Sequence, residues 1–189
     1  MRKNNKGFTL VELLAVIVVL AIVMGLAAVA ITNVLENTRK AAMVSDAKSF
    51  LDGAHSLVNS SDLNTMIGGT SATNYAPSCN APETKYIPLA ALELEKGGKS
   101  PYGNQYLRGS STTPITGTAA ANEYTGITEE SKQASYIKVT SDITNGKCTF
   151  SYEIYLTDGV YNIVGNSAGS SVAEASLTND NVKLVPSGE

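Results

Sequence analysis

The sequence predicts an α+β chain in which one long N-terminal helix, apolar over its first half, packs against a small antiparallel β-sheet. Three observations carry this. From Leu13 to Ile31 there is no Asp, Glu, Lys, Arg or His, a run with the length and composition of a membrane-spanning helix, which needs roughly 20 apolar residues. Beyond it, apolar residues return as far as Val58, mostly three or four positions apart with one or two breaks, the spacing of an amphipathic helix. From Ser135 onward the spacing changes to two, the period of a strand with one covered face.

The helix begins beside a short basic leader holding Arg2, Lys3 and Lys6. Gly7 is small and suits a scissile position for a protease at the membrane surface. Glu12 is the one carboxylate near the start of the apolar run. A charge at the centre of such a helix costs about 2.5–3.5 kcal/mol, and less toward its end, so an acid here asks for a partner. Cleavage after Gly7 supplies one. The new α-amine of Phe8 lies one helical turn from Glu12 of its own chain, and close to Glu12 of a neighbour in a helical array. Mutual neutralisation removes two desolvation costs and can act as a register key for assembly. Ala21 and Gly25 form a small-x-x-x-small pair with Ala28 near the same face, which lets helix backbones approach closely. Gly25 is also the weakest helical position, costing about 1 kcal/mol relative to Ala.

The second half of the helix carries its stripe on Ile31, Val34, Leu35, Ala42, Ala47, Phe50, Leu51, Ala54, Leu57 and Val58. Arg39 and Lys40, with Glu36, mark the exit into water. From Phe8 to Ser60 there is no Pro, and such a helix is about 80 Å long at 1.5 Å per residue. Its apolar stripe needs a cover, and a C-terminal sheet provides one.

Residues 61–83 are rich in Ser, Thr, Asn, Gly and Pro and read as a loop. Leu89 to Lys96 reads as a short helix stopped by Gly97-Gly98, and Ser100-Pro101-Tyr102-Gly103-Asn104 has turn chemistry. Residues 109–123 read as a surface loop. Strands are expected at Ser135–Thr140 and Cys148–Leu156, the second with Cys148, Phe150, Tyr152, Ile154 and Leu156 on one face. Thr144-Asn145-Gly146 is a hairpin signal between them. Thr157-Asp158-Gly159 turns into a third strand, Val160–Val164, and Val182–Val185 forms a last one. The expected sheet has one apolar face.

Lys6-Gly7-Phe8-Thr9-Leu10-Val11-Glu12-Leu13-Leu14, followed by the apolar run, resembles the N-terminus of type IV prepilins and pseudopilins. The resemblance covers the long helix up to about residue 60. It implies the type IV pilin-like form of the α+β fold: residues 1–7 a leader that is removed, 8–31 the transmembrane and filament-core half of the helix, 32–60 its amphipathic half, and 61–189 a globular head. It implies that a membrane-embedded prepilin peptidase cuts between Gly7 and Phe8 and methylates the Phe8 amine, and that Glu12 docks subunits into a helical homo-oligomer. A pilus assembly ATPase and a membrane platform are the further partners implied. The precursor belongs in the cytoplasmic membrane and the assembled subunit in an extracellular pilus on the bacterial cell surface. Many pilins carry a Pro within this helix, and this chain has Gly25 instead. The Pro-aromatic-Gly-Asn turn at 101–104 is similar to one in pseudopilins and some pilins.

Three alternatives stand beside the pilus subunit. A pseudopilin of a secretion or competence machine shares the N-terminal chemistry, and the long Ser/Thr-rich loops favour the exposed pilin. A membrane-anchored binding domain that never polymerises explains the apolar run but leaves Glu12 and Gly7-Phe8 unexplained. A secretory signal cut after Ala28-Val29-Ala30 conflicts with Glu12 and with a core longer than the usual 7–15 residues.

Composition narrows the functions. Three of the 14 basic residues lie in the leader, so the rest of the chain carries 11 basic against 17 acidic residues, a formal −6. Nucleic-acid binding along the subunit is not expected, because phosphate contacts require basic groups. Two cysteines, Cys79 and Cys148, favour one disulfide in an extracytoplasmic protein, with two unpaired thiols as the alternative. Two cysteines and the single His55 lack metal-ligand spacing, and His55 is expected beside the apolar stripe, partly exposed. No nucleotide-binding loop, G-x-S-x-G or Ser/His/Asp set is present, so neither enzyme activity nor a cofactor is expected. Asp142, Asp158 and Asp180 read as turn residues. Major pseudopilins hold calcium in an acidic C-terminal loop, and Asn179-Asp180-Asn181 is a weak imitation that reads first as a turn. The nine tyrosines read as strand and core residues.

Overall fold

The structure, a computed structural model, describes residues 9–66, 74–92, 98–108, 115–116, 135–165 and 170–185. Helix α1 runs Leu10–Met66, followed by strands β1 (Thr84–Pro88), β2 (Ile115–Thr116), β3 (Tyr136–Thr144), β4 (Lys147–Thr157), β5 (Tyr161–Ile163), β6 (Val172–Ala173) and β7 (Val182–Leu184). The chain divides into two compact units, Met1–Thr38 and Arg39–Glu189. The described part of the first is helix alone. The second holds the rest of α1 and an antiparallel sheet of order β2-β1-β3-β4-β5-β7, with β6 paired to β4. A long N-terminal helix followed by a small antiparallel sheet is the α+β, pilin-like arrangement.

In the second unit the helix buries Met43, Val44, Ala47, Phe50, Leu51, Ala54 and Val58, which recur at i, i+3, i+4, i+7 spacing and line one face. They join Ile87, Leu89, Ile137, Val139, Ile154, Leu156, Ile163 and Val182 in one core. The buried stripe therefore begins at Met43. Ile31, Val34 and Leu35, expected to begin it, are exposed. The helix passes Ser60 and continues to Met66. Residues 67–73 of the expected loop lie outside the described residues.

The hairpin between β3 and β4 follows from its turn. Asn145 and Gly146 both take positive φ, 54° and 73°, and two left-handed residues make the type I′ turn whose twist matches antiparallel strands. The ladder then runs without a break from Thr144↔Lys147 to Tyr136↔Tyr155. Three expectations change here. Strand β1 was not expected. Among the described residues of the expected short helix, Leu89–Ala91 forms one 3-10 turn, and residues 93–97 lie outside the described residues. Within the expected loop 109–123, Ile115–Thr116 pairs with β1, and the rest lies outside the described residues.

The sheet also has a second covered face. Tyr86, Tyr136, Tyr155 and Val164 form a separate buried cluster. Tyr136 meets Tyr86 edge-on at 5.5 Å and stacks on Tyr155 at 5.4 Å. Burial and the neighbouring tyrosines raise the pKa of Tyr136, and burial raises that of Tyr155.

Candidate functional site

The N-terminal helix opens on a cap. The Thr9 carbonyl accepts the Leu13 N–H at 3.2 Å, the first helical bond. The Thr9 N–H and Oγ1 both donate to Glu12 Oε2 at 2.8 Å, and the Glu12 N–H reaches back to Thr9 Oγ1 at 3.3 Å. This is the reciprocal capping box, which satisfies two backbone donors that a helix start leaves open. Its signal in the sequence is the Thr-x-x-Glu spacing of Thr9 and Glu12. Gly7 and Phe8, the expected cleavage and methylation positions, lie outside the described residues.

From Leu10 to Ala28 the described side chains are all exposed. Ala21, Gly25 and Ala28 are among them, and a Cβ added at Gly25 meets nothing within 4 Å. Ala15, Val16, Val19 and Leu20 line an open apolar groove. This helix is long and apolar enough to cross a membrane, and its apolar stretch is unburied. An exposed apolar surface of this size marks a site of contact with lipid or with protein.

The model of the family described as prokaryotic N-terminal methylation motif matches residues 2–28. The chain carries the type IV prepilin signature. The motif spans Gly7-Phe8, the Thr9–Glu12 cap and most of the apolar run. It supports a type IV pilin- or pseudopilin-like protein and implies processing by a prepilin peptidase, and the motif with the apolar helix fits a membrane-anchored precursor. No match to a curated protein or to a solved structure was found.

In the second unit, Cys79 and Cys148 form a disulfide with a Cα–Cα distance of 5.6 Å, joining residues 69 apart. It fastens the segment before β1 to the hairpin. Buried Ser141 holds the same segment: its Oγ donates to the Ser78 carbonyl at 2.8 Å and accepts the Glu83 N–H at 2.9 Å. Lys85 is buried below, its Nζ donating to the carbonyls of Asn74 at 3.0 Å and Ala76 at 2.7 Å.

His55 is half-buried. Its ring lies 3.7 Å from that of Tyr152, and Nε2 stands 3.0 Å from Glu174 Oε2. Burial, with Glu174 close by, pushes the Tyr152 hydroxyl up to about 12. Asp158, read as a turn residue, does serve a turn: its Oδ1 accepts the N–H groups of Val160 and Tyr161. It is also buried, and its Oδ2 accepts Ser100 Oγ, which no sequence signal announced. Asn179–Asn181 forms a 3-10 turn closed by Thr178 and Asn181. Among the described residues, no group of three His, Cys, Asp or Glu side chains is placed to hold a metal ion.

Proposed function

We propose that this chain is a type IV pilin, a structural subunit made as a membrane-inserted precursor and polymerised through its N-terminal helix into a cell-surface filament. Such a filament serves adhesion, motility or biofilm formation. The observation that carries the reading is the prepilin motif over residues 2–28, leading into a helix whose apolar surface is left unburied by its own chain. The peptidase cuts after Gly7 and methylates the Phe8 amine. Glu12, held at the helix start by Thr9, presents its carboxylate where the amine of an adjacent subunit can dock. Ala21, Gly25 and Ala28 let neighbouring helices approach. The Cys79–Cys148 disulfide supports an oxidising, extracytoplasmic setting for the head.

Electron microscopy of cells expressing the chain tests this. Surface filaments that label with antibody to the head are expected. Labelled subunits confined to the membrane, or to a structure that never leaves the envelope, overturn the pilus assignment.

A further inference from the structure

The tip of the β3–β4 hairpin carries a reactive pair. Asn145-Gly146 is the one place in the chain where Asn precedes Gly. An Asn side chain is thermolabile, because its Cγ can be attacked by the main-chain nitrogen of the next residue. That attack is least hindered when the next residue is Gly, which has no Cβ. Asn145 and Gly146 are both exposed, and even a Cβ built at Gly146 would meet nothing within 4 Å. The two are the central residues of the type I′ turn. The ladder closes on Thr144↔Lys147, which leaves the Gly146 nitrogen outside it.

The same turn restrains the reaction. The ring closes only when the Asn145 backbone rotates away from its left-handed turn geometry, so the tip must first open locally. One stretch of chain resists that opening by gripping both strands just behind the tip. On β3, the Ser141 N–H donates to the Glu83 carbonyl at 2.9 Å and Ser141 Oγ donates to the Ser78 carbonyl at 2.8 Å. On β4, Cys148 stands opposite Ile143, one pair behind Thr144↔Lys147, and is bonded to Cys79. Ser78 and Cys79 are consecutive, so a single segment fastens the two strands.

We propose that Asn145 is a site of spontaneous deamidation and that the Cys79–Cys148 disulfide restrains it. The Gly146 main-chain nitrogen gives up its proton and bonds to Asn145 Cγ. The Cγ–Nδ2 bond breaks, and ammonia leaves with that proton. Water then opens the resulting succinimide at either of its two carbonyl–nitrogen bonds, giving Asp or isoaspartate. One water enters and one ammonia leaves, with no oxidant or reductant. Asp adds a negative charge to an exposed tip that already holds Asp142. Isoaspartate routes the main chain through its side chain and lengthens the two-residue link by one carbon, which no longer fits the type I′ turn. Either product is a lasting record of time spent with the tip open.

Trypsin cuts after Lys138 and Lys147 and releases Val139–Lys147, in which Asn145 is the sole amide side chain. The full chain in detergent is aged at mildly alkaline pH with its disulfide intact, beside the Cys79→Ser, Cys148→Ser double variant. Samples digested before ageing set the baseline for both. Mass spectrometry of this peptide is expected to show a gain of one mass unit that grows with time in the native chain, and several-fold faster in the double variant. Electron-transfer fragmentation should find both Asp and isoaspartate. A native chain that gains no mass while the same chain unfolded in urea converts fully overturns the site. Equal rates with and without the disulfide overturn the restraint. Ser141→Ala keeps the disulfide and loosens the grip on β3, and it serves if the double variant fails to fold. It too should convert faster than the native chain, and an unchanged rate overturns the proposal.

Discussion

The Tyr106 hydroxyl donates to Asp46 Oδ2 at 2.8 Å, tying the segment after the Ser100–Gln105 turn to helix α1. The same ring meets Phe50, one helical turn further along, edge-on at 5.5 Å. One tyrosine thus joins the turn region to the helix by a charge-assisted hydrogen bond and by an aromatic contact. Burial, and then the bond to Asp46, raise the Tyr106 pKa.

Removing that hydroxyl should be felt. Tyr106→Phe keeps the ring and leaves Asp46 without its donor, and is expected to cost about 1.5–3 kcal/mol, the range for hydrogen bonds to charged groups. The full chain in detergent, unfolded by denaturant, gives the value. An unchanged midpoint would show that water replaces the hydroxyl without loss.

The raised tyrosines also set an alkaline limit. A group whose pKa is higher folded than unfolded holds its proton longer in the folded state. Its contribution is fully present below the unfolded value, about 10 for Tyr, and is lost as pH rises through the folded one. Tyr106, Tyr136, Tyr152 and Tyr155 all shift this way. Stability should be flat in their contribution below about pH 10 and fall above it. Tyr106→Phe should make the fall shallower. Denaturant midpoints from neutral to strongly alkaline pH measure this, and equal slopes for both proteins would remove Tyr106 from the account.

The cap at Thr9 allows two roles of Glu12 to be separated. Thr9→Val removes the hydroxyl partner and should weaken the helix start by about 1 kcal/mol while keeping the carboxylate. Glu12→Leu removes the carboxylate and makes the segment more apolar. Insertion and cleavage should survive in both, and filament assembly should collapse only in Glu12→Leu. Sheared-filament yield set beside processed subunit in the membrane is the measurement. Equal loss in both variants would mean that Glu12 acts as a cap and not as an assembly key.

Processing is tested at Gly7. Gly7→Val should leave an uncut precursor in the membrane with its basic leader attached. Mass spectrometry of the native mature chain should find it beginning at N-methylated Phe8. A chain beginning after Ala30 would return the N-terminus to an ordinary secretory signal.

The disulfide should stabilise the second unit by about 2–4 kcal/mol, since it closes a long loop in the unfolded chain. Cys79→Ser with Cys148→Ser removes it and loosens the segment that covers Lys85. Denaturant midpoints with and without reductant should shift for the native chain and stay level for the double variant. Freely alkylated thiols in protein taken from the cell surface would contradict the bonded pair.

The long helix and the spacing of its N-terminal cap were legible because their causes are local. Uncharged length, Pro-free continuity and the Thr9–Glu12 spacing are properties of consecutive residues, and so is the type I′ turn at Asn145-Gly146. The β3–β4 hairpin followed from that turn with strands alternating on either side. Strand β1 was not legible. Thr84–Pro88 is short, ends in Pro and becomes a strand through its ladder with β3, a partner some fifty residues away. The start of the buried stripe at Met43 was equally hidden, because periodicity shows which residues share a face and cannot say where the cover begins. Tyr136 and Tyr155 alternate as outward residues in the sequence, yet they are buried among Tyr86 and Val164 from other strands. Asp158 with Ser100, Asp46 with Tyr106, and Arg39 over Tyr102 pair residues about sixty apart. One dimension of sequence carries turn chemistry and hydrophobic period, and such pairings arise only when the sheet folds back onto the helix and brings distant side chains within bonding distance.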